Sequence, residues 1–156
     1  KVLMSSFYEI ALSPNGHGGL LAALSRNGCL EDAADRNIHQ FFYCQIDNPI
    51  VPICDPVLIG YHLLAQSQLT TQVVKKRFAT EKVGNVVSVD GRTRIIEYSD
   101  LPQDAAEQTN PDGSLKLWAG NIAVHLFDRR FLESMQNVAQ ALPFHRAFKA
   151  VPFVDE

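Results

Sequence analysis

Near the start of the chain a loop almost bare of side chains runs straight into an apolar helix. Ser13-Pro14-Asn15-Gly16-His17-Gly18-Gly19 leads into Leu20-Leu21-Ala22-Ala23-Leu24. Three glycines in positions 16–19 expose main chain, and a helix start offers N–H groups that lack an intrahelical partner. The pairing suits a flat or anionic ligand lying close to the backbone, while a plain turn is the other reading. A second feature follows about thirty residues on. The apolar run Phe41-Phe42-Tyr43 passes into Cys44-Gln45-Ile46-Asp47-Asn48-Pro49, as a buried strand does when it delivers a metal ligand to a cleft.

The bulk numbers narrow the classes. A chain of 156 residues has length enough for one domain with a core. A net charge of −3 and the absence of any long basic run argue against general nucleic-acid or membrane-surface binding. Lys75-Lys76-Arg77, the densest positive cluster, reads as a solvated strand edge. No apolar stretch approaches the roughly 20 residues that span a bilayer. Cys29, Cys44 and Cys54 are odd in number and share no CxxC spacing; Cys44 and Cys54 read as small buried hydrophobes, which points to a reducing cytoplasm. The five histidines do not pair with them at zinc-ligand spacing. Starting at Lys1 without an initiator Met, the chain reads as a piece of something longer.

Along the chain, Lys1 to Ile10 reads as extended, with Val2-Leu3-Met4 and Phe7-Tyr8 as strand residues. Helices are expected near Leu20–Asn27, stopped by Gly28, and over Leu30–Arg36 with Asn37 as a C-cap. A buried strand is expected over Phe41–Ile46 and a weaker one over Ile50–Ile53. Asp55-Pro56 should open a helix over Val57–Gln66. Thr71–Lys75 reads as a strand, and Gly84–Val89 and Thr93–Tyr98 as a hairpin turned by Asp90-Gly91. A short helix after Pro102 precedes two strands, Leu115–Trp118 and Ile122–Phe127, which bracket Ala119-Gly120-Asn121. Asp128 should cap a helix over Arg129–Leu142, with Phe144–Ala150 helical and Val151–Val154 extended beyond it. Strands alternating with helices, plus one late hairpin, point to a three-layer α/β domain with a mixed sheet.

Seven blocks, in order and at compatible spacing, resemble the UDP-sugar pyrophosphorylases, and most of all their UDP-N-acetylhexosamine branch. They are Ser13–Leu20, Tyr43-Cys44-Gln45-Ile46-Asp47-Asn48, Asp55-Pro56-Val57-Leu58-Ile59-Gly60, Lys82-Val83-Gly84-Asn85-Val86-Val87, Ile95-Ile96-Glu97-Tyr98-Ser99-Asp100, Ala119-Gly120-Asn121-Ile122-Ala123-Val124-His125 and Val151-Pro152-Phe153-Val154-Asp155. The resemblance implies a Rossmann-like nucleotide-diphospho-sugar transferase fold whose N-terminal strands lie outside this chain. Residues 1–156 would then form a single partial catalytic domain, the uridine- and sugar-binding portion. It also implies uridylyl transfer, in which UTP and a sugar 1-phosphate give a UDP-sugar and pyrophosphate with help from Mg2+.

That chemistry needs no general base, because the attacking sugar-phosphate oxygen is already ionised at neutral pH. Positioning and charge neutralisation carry the rate. The resemblance assigns Gly16 to the nucleotide, with bare main chain against uracil, and Asp47 to the nucleotide's metal, since Mg2+ takes one or two carboxylates plus phosphate oxygens and water. It assigns His17, Gly84, Glu97 and Asn121 to the sugar phosphate. His17 stands where the N-acetylhexosamine branch usually carries Asn and glucose-type relatives carry His. Each has a bland alternative: a loop histidine, a structural glycine, a surface glutamate, a turn asparagine. His125, alternating with Ala123 and Phe127, reads as a satisfied half-buried histidine.

The family's glycine-rich phosphate loop with its basic residue has no counterpart here, so no catalytic residue is assigned within the chain. Lys75 also stands where relatives tend to be acidic. The expectation is a fragment inactive alone, with an unpaired sheet edge as a route to self-association. A non-catalytic sugar-nucleotide-binding module is the alternative. A glycosyltransferase of the same fold ranks last, because Asp47-Asn48-Pro49 has one carboxylate where such enzymes carry Asp-x-Asp.

Overall fold

The structure is a computed structural model that describes residues 2–12, 16–136 and 152–154. It divides into two compact units, Lys1–Ile38 with Leu132–Glu156, and His39–Phe131.

In the first unit, β1 (Met4–Ser6) and β2 (Glu9–Ile10) pair antiparallel. Phe7 and Tyr8, expected in a strand, form the turn between them and are 77% and 95% exposed. The Ser6 hydroxyl accepts from the Tyr8 N–H at 3.3 Å, and the chain reverses there. Val154 joins β1 through its N–H to the Met4 carbonyl at 2.9 Å. Helix α1 (Gly19–Arg26) ends where Gly28 adopts φ +68°, a left-handed conformation that glycine tolerates without strain. Helix α2 (Cys29–Asp35) follows and ends in the same manner at Asn37, φ +55°. Both helices stand within a residue or two of expectation. Leu30 and Ala33 of α2 are buried.

The second unit is a five-stranded sheet: β3 (Gln40–Tyr43), β4 (Leu69–Lys75), β5 (Gly84–Val89), β6 (Arg92–Ile96) and β7 (Ala119–Asp128). The long strand β7 organises it. One of its edges pairs with β4; along the other, β3 pairs with residues 125–128 and β5 with residues 120 and 121. Strands β5 and β6 form the expected hairpin, with Asp90 (φ +51°) and Gly91 (φ +72°) both left-handed as a tight two-residue turn requires. A mixed sheet was expected, yet every described ladder is antiparallel. The reason lies in β7, which runs between β3, β4 and β5 and opposes all three.

Three local expectations are corrected. Strand β3 stops at Tyr43, so Ile46 is fully exposed in a turn rather than buried in a strand. Ile50 to Ile53 forms turns, and Cys54 is exposed at φ +55° rather than buried. Leu115–Trp118 is not a strand, and β7 runs unbroken through Gly120 and Asn121. The remaining helices are α3 (Pro56–Leu64), α4 (Gln103–Ala106) and α5 (Arg129–Met135). The Asp55 carboxylate accepts from the Val57 N–H at 2.9 Å and caps α3. Asp128 caps α5, accepting from Arg130 at 2.8 Å and Phe131 at 3.2 Å. The rest of the helix expected to Leu142, and the one over Phe144–Ala150, lie outside the described residues.

Candidate functional site

Strand pairing brings three of the six expected site residues into one row. Gly84 of β5 sits opposite Asn121 of β7, and Asn85 sits opposite Ile96, which puts Glu97 beside Gly84 one step past the end of β6. Residues paired across strands share a face, and their sequence neighbours share the other. Distances agree: a Cβ built on Gly84 would lie 3.0 Å from Ile95 Cγ2, 3.5 Å from Glu97 Oε1 and 3.6 Å from the Asn121 Cβ. Gly84 is therefore the floor between a carboxylate and an amide. Gly84 is buried, and even a methyl group there would press on the Ile95 side chain, so only glycine fits this close approach of strands.

Asn121 owes its orientation to a bulge. Across β4, Gln72 faces Val124 and Val73 faces Asn121, so Ile122 and Ala123 are extra residues on β7. Two extra residues preserve the alternation, and Gly120, Val124 and Leu126 all point into the buried face. Ala123 takes φ +54° to make the bulge, and its N–H donates to Asn121 Oδ1 at 3.0 Å. That bond fixes which end of the amide is oxygen. Among the described residues the Nδ2 group has no protein acceptor, so the side chain presents two N–H donors. The bulge thus turns the Nδ2 donors of Asn121 away from Ala123 and holds its oxygen toward the backbone.

The other expected residues lie apart from this row. Asp47 is exposed in the turn spanning Gln45–Asn48, where the Asn48 N–H donates to the Gln45 carbonyl at 3.2 Å. Gly16 and His17 belong to the first unit. Gly16 has φ +71° with open space where a Cβ would stand, and the turn glycines Gly28, Gly91 and Gly113 share that positive φ and open space. The His17 carbonyl accepts from the Leu20 N–H at 3.1 Å at the start of α1. Among the described residues no three His, Cys, Asp or Glu side chains gather into a metal cage. Asp47, an exposed lone carboxylate, still fits Mg2+, which is held mainly by substrate phosphates and water.

His125 is half-buried, as its alternation suggested. Its Nδ1 lies 3.0 Å from the Thr71 hydroxyl, and its ring stacks on Tyr43 with centroids 5.8 Å apart. Burial holds its pKa below the ordinary value. Sequence reasoning missed the opposite face of the row. Lys76 was grouped with Lys75 and Arg77 as a solvated edge, yet Lys76 is 3% exposed, and Asn85 is 1% exposed. The Lys76 ammonium donates to Asn85 Oδ1 at 2.6 Å and to the Ala79 carbonyl at 3.1 Å. The one available signal was a polar residue inside the apolar run Val83-Gly84-Asn85-Val86-Val87.

Comparison with known proteins gives the family. A model of the family "UTP–glucose-1-phosphate uridylyltransferase" matches residues 4–142. The human UDP-N-acetylhexosamine pyrophosphorylase-like protein 1 is 38% identical over 157 residues, covering 100% of this chain and 31% of its own length. The Saccharomyces cerevisiae UDP-N-acetylglucosamine pyrophosphorylase is 37% identical over 155 residues, covering 98% of this chain and 32% of its own. A crystal structure assigned as a UDP-N-acetylglucosamine pyrophosphorylase of Entamoeba histolytica superposes with a TM-score of 0.89 at 35% identity, covering 100% of this chain and 38% of that one. The chain thus spans about a third of the length of these relatives.

Proposed function

The chain belongs to the UTP–glucose-1-phosphate uridylyltransferase family, and on that premise we propose that it is the sugar-holding part of a uridylyltransferase. The parent protein joins UTP to a sugar 1-phosphate: a sugar-phosphate oxygen bonds to the α-phosphorus of UTP while the α–β bridging P–O bond breaks and pyrophosphate leaves. The single observation that carries this reading is the row of Gly84, Glu97 and Asn121 across β6, β5 and β7. Bare backbone receives the sugar ring, the Glu97 carboxylate accepts from its hydroxyls, and Asn121 donates to an oxygen.

The N–H donors of Asn121 suit the carbonyl of an acetamido group, so the proposed substrate is an N-acetylhexosamine 1-phosphate. The relatives named for UDP-N-acetylglucosamine support the same choice. His17 donates to the sugar phosphate and Gly16 lies against the base in this reading. Asp47 would hold Mg2+, which when bound neutralises phosphate charge. We further infer the three-layer Rossmann-like arrangement for the complete parent domain, cytoplasmic placement, and negligible turnover by these 156 residues alone.

The test uses the full-length parent protein. Glu97→Gln and Gly84→Ala should each raise KM for the sugar 1-phosphate by about tenfold or more, the loss of one charge-assisted hydrogen bond or of the ring's place. KM for UTP should stay within about twofold. Unchanged KM for the sugar substrate in both variants contradicts the reading. Binding of UDP-sugar by the parent without pyrophosphate release would favour the non-catalytic module instead.

A further inference from the structure

Behind the row of Gly84, Glu97 and Asn121 stands a second row, one residue removed on every strand. Asn85 follows Gly84 on β5 and faces Ile96, which precedes Glu97, and Gly120, which precedes Asn121. Its side chain is on the buried face and ties these strands together. Asn85 Nδ2 donates to the Val83 carbonyl at 3.3 Å and to the Ile96 carbonyl at 3.5 Å, while Oδ1 receives the Lys76 ammonium at 2.6 Å. Lys76 brings in β7 and the preceding loop. Its N–H donates to the Trp118 carbonyl at 2.9 Å, and its ammonium donates to Ala79 at 3.1 Å. A Cβ on Gly120 would stand 3.3 Å from Lys76 Cγ, so glycine there lets the lysine stem lie flat against β7.

We propose that the buried Lys76–Asn85 pair is a positioning device for the sugar side of the site, setting the spacing of Gly84, Glu97 and Asn121 from the rear face of the sheet. Burying an ammonium against a neutral amide is costly, and burial indeed pulls the Lys76 pKa below its ordinary value, with Glu81 acting weakly in the other direction. An apolar pair would fill the same space at lower cost. What a hydrogen-bonded pair adds is direction. The 2.6 Å bond orients the Asn85 amide, which reaches the Ile96 carbonyl at 3.5 Å and so adds a side-chain tie to the ladder pair at the end of β6, where Glu97 begins.

This inference rests on the proposed sugar site, and its test separates the two. In the full-length parent protein, Asn85→Val and Lys76→Met should raise KM for the N-acetylhexosamine 1-phosphate about tenfold and leave KM for UTP within about twofold. Asn85→Asp, which keeps an acceptor for the ammonium but loses the Nδ2 donor to the Ile96 carbonyl, should recover Tm relative to Asn85→Val while KM for the sugar substrate stays raised about tenfold. If Asn85→Val does not fold, Asn85→Ser serves in its place, because it keeps a polar group and creates a smaller apolar mismatch. A lowered Tm with both KM values unmoved, while Glu97→Gln still raises the sugar KM, overturns the positioning role and leaves the site intact. Sugar KM unchanged in Glu97→Gln and Gly84→Ala overturns the site, and the positioning role with it.

Discussion

At the scale of single residues, hydrogen bonds that orient side chains decide more here than residue type. The Asn121 oxygen is held by the Ala123 N–H, which the bulge at φ +54° turns toward it, leaving the Nδ2 donors to point elsewhere. From sequence, Ala119-Gly120-Asn121 looked like a turn between strands, since nothing in a chain string marks two residues bulging out of a continuous strand. His125 was legible, because alternation with Ala123 and Phe127 on an apolar strand is what a half-buried ring needs. Its pKa is held below 6.5 by burial, and the sign of the consequence is fixed. Well above pH 6.5 the ring is neutral in both folded and unfolded chains and contributes nothing to pH dependence. As pH falls below that value the unfolded chain takes up its proton first, so stability is lost until the lower, folded-state pKa is passed. The expected outcome is a fall in Tm between pH 7 and 5 that is shallower in His125→Gln, measured by thermal melts at matched ionic strength; identical slopes would remove His125 from the account.

Among elements, the legible ones carry their own local chemistry. Asp55-Pro56 opens α3, Gly28 ends α1, and Asp90-Gly91 turns the hairpin, each through a bond or a backbone angle that its own residues supply. Asp55→Ala should cost about 1 kcal/mol of stability, the usual value of an N-cap, read from denaturant midpoints; a change below a few tenths would mean that α3 is held by other contacts. Elements that depend on distant partners were less legible. Strand β3 ends at Tyr43, opposite His125, where β7 enters the bulge at Ile122 and Ala123, and the apolar character of Ile46 could not reveal that. The same limit explains Lys76. Its burial follows from lying past the end of β4 against the glycine at position 120, a contact between residues 44 positions apart in the chain.

For the molecule as a whole, the family was legible end to end because seven blocks keep their order and spacing, whereas the sheet's directions were not. The antiparallel ladders arise from the central place of β7, which a pattern of alternating strands and helices does not specify. Among the described residues the outer edge of β4 has no strand partner. Unpaired backbone N–H and C=O groups of that kind favour strand addition. The 156-residue chain alone should therefore associate with itself as concentration rises, by sedimentation velocity, and a strictly monomeric chain at high concentration would contradict this. The same chain should release no pyrophosphate above background from UTP and a sugar 1-phosphate, and measurable turnover would show that the catalytic cations are present within it. The most direct test is a structure of the full-length parent protein with bound UDP-N-acetylglucosamine. The sugar ring should lie over Gly84, with a Glu97 oxygen and Asn121 Nδ2 each about 2.7–3.2 Å from its polar atoms. A sugar that touches none of these three residues would contradict the account.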